Sequence, residues 1–414
     1  MIDSYFDVLI IGTGISGINA AYHIQESLPN VKFTILEARH ELGGIWSLFK
    51  YPGIRSDSDL HTFGFKFYPW RAKNPIGKGE EILKHLDETA RTFDLDKKIW
   101  YKHKVTKADW RSTGYYNYDQ PLDAEIPGLD NFQGKIVHPQ FWPQDLDYKG
   151  KNIVIVGSGA TAITLLPALV DGGAGSVTQL QRSPSYIMSL NQDDRVWFEK
   201  WAPEWFTLRY KRFMSTFIGL VFYKFCVWFP KLARTGKANI VADTIKSVVS
   251  DGIELTSGQK LDADIIITAT GLNMYGFGGI NVTVDGKQVD VPSQYLWRSS
   301  MLTSVPNFGT IIGYFNASWT LGAEAASHLY ARLIKHQQKH GYTSVVPVIS
   351  EKEKEKTLTT PQFTSTYLLR AMMAMPRYAM TGPWKPRDSW FVDSWDAKRA
   401  SLEEGLKWEK VAVE

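Results

Sequence analysis

At 414 residues the chain is long enough for two or three domains around a sizeable core. Its 47 basic and 43 acidic residues leave a net charge of +4, which gives no case for nucleic-acid binding, although a basic surface suits a phosphate-bearing cofactor. The single cysteine, Cys226, excludes an intramolecular disulfide and the redox-active cysteine pair of a disulfide reductase.

No basic or apolar leader precedes the first strand, so no signal peptide is expected and a cytoplasmic location is. Asp7 to Ile11 reads as a strand, Ile18 to Leu28 as a helix, and Val31 to Leu36 as a second strand ending in Glu37. Between strand and helix lies Gly12-Thr-Gly14-Ile-Ser-Gly17. In such a βαβ unit Gly12 makes the tight turn, Gly14 admits a pyrophosphate, and Gly17 lets helix and strand close up. The helix N-terminus offers free N–H groups to the phosphates. Glu37 stands where an acid accepts hydrogen bonds from ribose hydroxyls. An N-terminal unit of this kind resembles FAD sites.

The stretch Gly43-Gly44-Ile-Trp46-Ser-Leu-Phe-Lys-Tyr51-Pro52-Gly53-Ile-Arg55-Ser-Asp57 follows. Tyr51-Pro52-Gly53 makes a rigid turn, which could carry Asp57 to a reactive centre. A buried carboxylate there could hold an arginine by a charge-assisted bond. The plainer reading of Asp57 is a helix cap.

Lys151 to Val156, Gly157-Ser-Gly159-Ala-Thr-Ala162 and the strand Ser176 to Gln181 form a second unit. Ala162 takes the third glycine's place. The second strand ends in Arg182-Ser183 instead of an acid. Arg182 can grip a 2′-phosphate with a planar fork and Ser183 can donate to it, so NADPH is expected here.

Pro184 to Pro230 is rich in Trp, Phe and Tyr and reads as helical. Its apolar run, Phe213 to Phe229, is interrupted by Lys224 and short for a membrane span. A buried or substrate-lining helix is favoured over a membrane-surface one. Strands return from Ile240 to Thr270. Beyond them come a strand from Pro306 through Ile312, a long helix after Trp319, and a solvated helix over the charged run Glu351 to Lys356. Fifteen tryptophans suit large apolar cofactor and substrate cavities.

Between the two glycine turns stands Phe132-Gln-Gly-Lys-Ile-Val-His138-Pro-Gln-Phe-Trp142-Pro143. It resembles the F-x-G-x-x-x-H-x-x-x-W-P fingerprint of the type I Baeyer–Villiger flavin monooxygenases. Residues 43–57 resemble a second pattern of that family, and residues 58–70 continue in the style of its ethionamide-activating, ketone-oxidising branch. The resemblance runs, with interruptions, from Asp7 to about Asp393.

It implies an α/β fold of two Rossmann-like domains, for FAD and NADPH, with a helical insertion. The implied division is 1–149 and 272–414 for the FAD domain, 150–190 and 237–271 for the NADPH domain, and 191–236 for the insertion. It also implies that NADPH reduces FAD and that dioxygen adds at the flavin C4a carbon. The resulting peroxide, kept dry, oxidises a small apolar ketone or a thio-compound. Gly44, Trp46 and Asp57 would lie at the flavin, with Asp57 in a catalytic role. Gly313-Tyr-Phe-Asn316-Ala-Ser-Trp319 would bring a helix N-terminus to its ring. His138, Thr113-Gly114 and Ala269-Thr270-Gly271 would serve the domain crossings.

The chain departs from the pattern twice. From Trp110 it passes in three residues to Thr113-Gly114, where the family has a β-meander, so the FAD sheet should lose strands. Near Arg234 to Lys237 the segment carrying the family's catalytic arginine has no counterpart. Arg209, Arg212 and Arg234 lie nearby without matching it. Two alternatives therefore stand: an N- or S-oxygenating flavin monooxygenase, against which the Trp142-Pro143 ending argues, and a nucleotide-binding relative without oxygenation, either an NADPH oxidase or non-catalytic.

Overall fold

A computed structural model of the chain describes residues 5–110, 125–182, 198–199, 201–226, 238–271, 280–314, 317–358, 375–387 and 389–410. Two parallel sheets organise it. The first runs β1 (Val8–Ile11), β2 (Phe33–Leu36) and β3 (Ile99–Trp100) side by side, with α1 (Ile15–Ser27) crossing from β1 to β2. Three short elements follow β2: α2 (Ile45–Leu48), α3 (Leu60–Phe63) and the longer α4 (Gly79–Thr92). Helix α1 begins three residues earlier than its apolar pattern alone indicates, at the glycine turn itself. Among the described residues the first sheet has three strands, in line with the loss of the meander. The strand after it, β4 (Lys107–Trp110), pairs elsewhere.

The second sheet has five parallel strands. Its members are β5 (Lys135–Val137), β6 (Asn152–Val156) and β7 (Ser176–Gln181), with α5 (Ala160–Asp171) between the last two. Beyond α6 (Glu204–Cys226) comes β8 (Ala238–Ala242). An antiparallel meander then follows, β9 (Ile245–Val249), β10 (Gly252–Leu255) and β11 (Lys260–Asp262), and the last sheet member is β12 (Ile265–Thr268). The spatial order is β5-β12-β6-β7-β8. The central strands read Ile-Val-Ile-Val and Ile-Ile-Ile-Thr because helix covers one face and the meander the other.

The C-terminal part returns to the first unit. β13 (Asn281–Val284) pairs with β14 (Lys287–Gln288) and, in parallel, with β4. A small hairpin of β15 (Leu296–Trp297) and β16 (Met301–Leu302) precedes α7 (Trp319–His340). β17 (Ser344–Pro347), the exposed α8 (Glu351–Lys354), α9 (Trp390–Arg399) and β18 (Leu406–Glu409) complete the chain. Residues 306–312, expected as a strand, are not one. Ser304 and Asn307 take positive φ (61° and 51°), which breaks the extended run, and Arg387 claims the Ile312 carbonyl that a ladder would use. No helix among the described residues is long and apolar enough to cross a membrane.

Two histidines are folded into the first core. His85, on α4, lies among the rings of Phe65, Tyr68 and Trp70, and burial lowers its pKa to about 4. His23, on α1, also falls to about 4, through burial first and the neighbouring His328 ring second. In the unfolded chain both would take a proton near 6.5. The unfolded state therefore binds more protons in the interval between 6.5 and about 4, and stability falls as pH drops through it. The expected loss is roughly 3 kcal/mol per ring across the interval. Denaturant midpoints measured against pH test this, and His85→Phe should flatten the slope by one proton's worth. A profile already flat in the unaltered protein would contradict it.

Candidate functional site

The first glycine turn is built from backbone contacts that side chains would block. Gly12 sits at φ +91°, and a Cβ on Gly17 would lie 1.9 Å from the Gly12 carbonyl oxygen. Gly14 caps α1 with extended backbone and no side-chain bond, leaving the helix N-terminus open. Gly44, at φ +57°, lies against it, since a Cβ there would come 3.0 Å from Gly14 Cα. The Gly43 N–H donates to the Thr13 carbonyl at 3.1 Å.

Glu37 is buried directly behind the turn. Its Oε2 accepts from the Thr13 N–H at 2.9 Å and the Thr13 hydroxyl at 2.6 Å, and its Oε1 accepts from the Arg39 N–H at 3.0 Å. Arg39 in turn donates to the Gly44 carbonyl at 3.0 Å. Thr13 and Arg39 escape a reading by motif, because they brace the turn through polar bonds that the glycine spacing does not encode.

A second helix N-terminus arrives from the far end of the chain. Trp319 opens α7, and its indole N–H donates to Ser16 Oγ, in the first turn of α1, at 2.9 Å. Gly313 lies flat against the Trp319 ring, where a Cβ would come within 2.4 Å of it. Asn316 lies outside the described residues. Trp46 packs edge-on to Phe63, and its Nε1 is buried with no partner among the described residues.

Asp57 does not take the buried position expected of it. It is exposed, and its carboxylate accepts from the Ser58 hydroxyl at 3.4 Å. The helix cap is Asp59, which accepts from the Thr62 N–H at 3.0 Å and the Thr62 hydroxyl at 2.8 Å. The turn before Asp57 joins the two nucleotide units instead. Tyr51 is buried with Trp142, Ala162 and Leu165 in the second unit's core. A Cβ on Gly53, at φ +79°, would come 2.5 Å from the Thr164 carbonyl of α5.

At the second turn Gly157 has φ +138°, and a Cβ there would meet the Ala269 carbonyl at 2.2 Å. Gly159 caps α5 and faces open space. Ala162 is fully buried where the third glycine would stand. Arg182 is exposed at the end of β7, while Ser183 lies outside the described residues.

The stretch between the turns is scaffolding. β5 forms the edge of the second sheet, with Phe132 buried on one face and Trp142 on the other. Gly134 lies under the Phe132 ring, where a Cβ would come within 2.5 Å of it. His138 Nδ1 accepts from the Gln140 N–H at 3.3 Å, a local cap. β5 is thereby welded to β12, whose continuation at Ala269 packs on Gly157.

Of the three arginines near the shortened segment, Arg209 is exposed and Arg234 lies outside the described residues. Arg212 is engaged: it donates to the carbonyls of His61 (3.0 Å) and Gly64 (2.9 Å) and to Glu324 Oε2 (3.0 Å). Burial depresses its pKa and the Glu324 carboxylate opposes that. A cavity of about 440 Å³ between Lys135, Lys151, Asp251 and Asp264 opens at the start of the second sheet's strands. Ligands of open parallel sheets bind at the opposite, carboxyl end, where both glycine turns lie.

Residues 10–72 match the model of an NAD(P)-binding Rossmann-like domain. The FAD-containing monooxygenase EthA of Mycobacterium tuberculosis is 36% identical over 480 aligned positions, covering 98% of each chain. The chain belongs to the FAD-containing monooxygenases. It is therefore an enzyme of a flavin family, with the two Rossmann-like domains that family carries. Because 480 positions align with 414 residues, the relative holds segments that this chain lacks. Among solved structures, a steroid monooxygenase bound to NADP superposes with a TM-score of 0.71 at 16% identity, over 99% of this chain and 100% of that one. Cyclohexanone monooxygenase in an open form gives 0.71 at 18%, over 98% and 99%. At those identities the likeness is one of fold.

Proposed function

We propose that the enzyme binds FAD at the first glycine turn and NADPH at the second, and catalyses Baeyer–Villiger oxidation of a small apolar ketone. The observation that carries this reading is the pair of turns with unlike strand ends, Glu37 behind the first and Arg182 at the second. An acid suits ribose hydroxyls, and a guanidinium suits a 2′-phosphate. The likeness to ketone-oxidising folds and the fingerprint residues Phe132 to Pro143 support it. The same reading divides the chain at 149, 190, 236 and 271.

The residues present fit both cofactors. Gly12, Gly14 and Gly17 leave bare backbone where a pyrophosphate must approach α1. Glu37 keeps acceptor capacity beyond the Thr13 and Arg39 bonds, since a carboxylate offers about four lone-pair sites. The Trp46 N–H, two residues after Gly44, has no acceptor among the described residues, which leaves a donor for a group bound there. The α7 N-terminus, with Asn316 just before it, adds partial positive charge where a reduced flavin would carry negative charge. Gly157, Gly159 and Ala162 make the second turn, with Arg182 and Ser183 for the 2′-phosphate.

Bound FAD supplies the redox chemistry: NADPH, a proton, dioxygen and ketone become NADP⁺, water and ester. This chain's residues orient the cofactors and exclude water. Asp57 has a catalytic part in the proposal only if cofactor binding draws its carboxylate inward from solvent.

Release of hydrogen peroxide without oxygenation is a second reading. It is favoured by the missing segment and by the engagement of Arg212 with the His61 and Gly64 carbonyls and with Glu324, which ties up a guanidinium that could otherwise meet developing negative charge. Purified FAD-loaded protein should form ester from a cyclic ketone in near-stoichiometric proportion to NADPH consumed. Peroxide in place of ester would establish the second reading, and preferential oxidation of a thioether or amine would point to S- or N-oxygenation.

A further inference from the structure

The insertion helix meets the flavin unit through a guanidinium. The His61 and Gly64 carbonyls that Arg212 engages lie at the C-terminal end of α3. The two carbonyls between them, of Thr62 and Phe63, accept from Thr320 Oγ1 at 3.2 and 2.5 Å. A helix leaves its last four carbonyls without internal partners. Here α6 and the first turn of α7 satisfy them jointly. Glu324, 5% exposed, stands one turn further along α7 and also receives Lys66 at 3.6 Å. Upstream, α3 follows Asp57 within three residues, and α7 begins at the Trp319–Ser16 bond beside the first glycine turn. One side chain thus connects the insertion to both segments that border the proposed flavin pocket. A lysine could reach Glu324 or one carbonyl, but it lacks the planar fork that spans them.

We propose that Arg212 is a positioning residue for oxygenation: it seats the insertion helix on α3 and α7 and so sets how tightly the acceptor's pocket closes. The proposal rests on the monooxygenase reading given above. Arg212 acts through the corner it clamps, where its Nη1 and Nη2 donate to His61, Gly64 and Glu324 oxygens. Loosening it should harm acceptor binding and dryness more than hydride delivery from NADPH, which depends on the second glycine turn.

The test compares R212M, R212K and E324Q with the unaltered enzyme, all loaded with FAD. Flavin content and the anaerobic rate of flavin bleaching by NADPH should stay close to those of the unaltered enzyme. For R212M the KM for the ketone should rise roughly 10- to 100-fold while the ratio of ester to NADPH falls. R212K and E324Q should lie between. Amide hydrogen exchange should quicken in R212M over residues 204–215 of α6 and 60–65 around α3. Unchanged KM and coupling in R212M would overturn the proposal, as would a fall in bleaching rate and flavin content alongside the rise in KM, with R212K no better. If the unaltered enzyme forms no ester, the functional reading fails on that assay alone. Amide exchange then decides the seating: quickened exchange in both segments upholds it, and unchanged exchange removes it.

Discussion

Gly17→Ala is expected to yield a folded protein that purifies colourless and takes up no FAD. The added methyl would sit 1.9 Å from the Gly12 carbonyl oxygen, a separation no packing tolerates. Either α1 moves off β1 or the turn opens. The obstacle is backbone, so no side-chain rotation relieves it. Overpacking of this kind typically costs about 1–3 kcal/mol. Here the strain falls on the turn that should receive the pyrophosphate, so affinity suffers before global stability does. The measurement is visible absorbance after incubation with excess FAD, with circular dichroism to verify folding. A yellow G17A protein with unaltered affinity would remove the first turn from the FAD site.

Arg182→Glu is expected to reverse the preference between NADPH and NADH. The side chain stands exposed at the end of β7, where a 2′-phosphate would meet it. Loss of a charge-assisted bond to phosphate and its replacement by like-charge repulsion should together raise the KM for NADPH by roughly 10²–10³-fold. NADH lacks that phosphate, so its KM should change little. Initial rates of flavin bleaching with each nucleotide give the ratio directly. If R182E treats both nucleotides as the unaltered enzyme does, the phosphate is gripped elsewhere.

Both glycine turns, the strands around them and the long α7 were legible because each depends on local rules. Gly12, Gly17 and Gly157 occupy positions where a Cβ or a negative φ fails, and apolar runs such as Ile265-Ile-Ile mark strands buried on two faces. The burial of Asp57 was misjudged because exposure is decided by what packs over a turn, and here Tyr51 and Gly53 turn toward α5. The strand expected through Ile312 failed because Arg387, 75 residues later, competes for its carbonyl. Arg212 could be noticed as a nearby cation, but its partners at 61, 64 and 324 lie more than a hundred residues away in sequence. The fingerprint showed its family in sequence, whereas its physical duty appears only in three dimensions, with Phe132 and Trp142 pinning an edge strand from both faces.

The Trp319–Ser16 and Ser327–Asn19 hydrogen bonds join helices some three hundred residues apart. During synthesis both glycine turns leave the ribosome long before the helix that backs the first of them. On the proposed reading, pigment capture therefore waits for α7, and a nascent chain halted ahead of Trp319 has a nucleotide turn without that helix behind it.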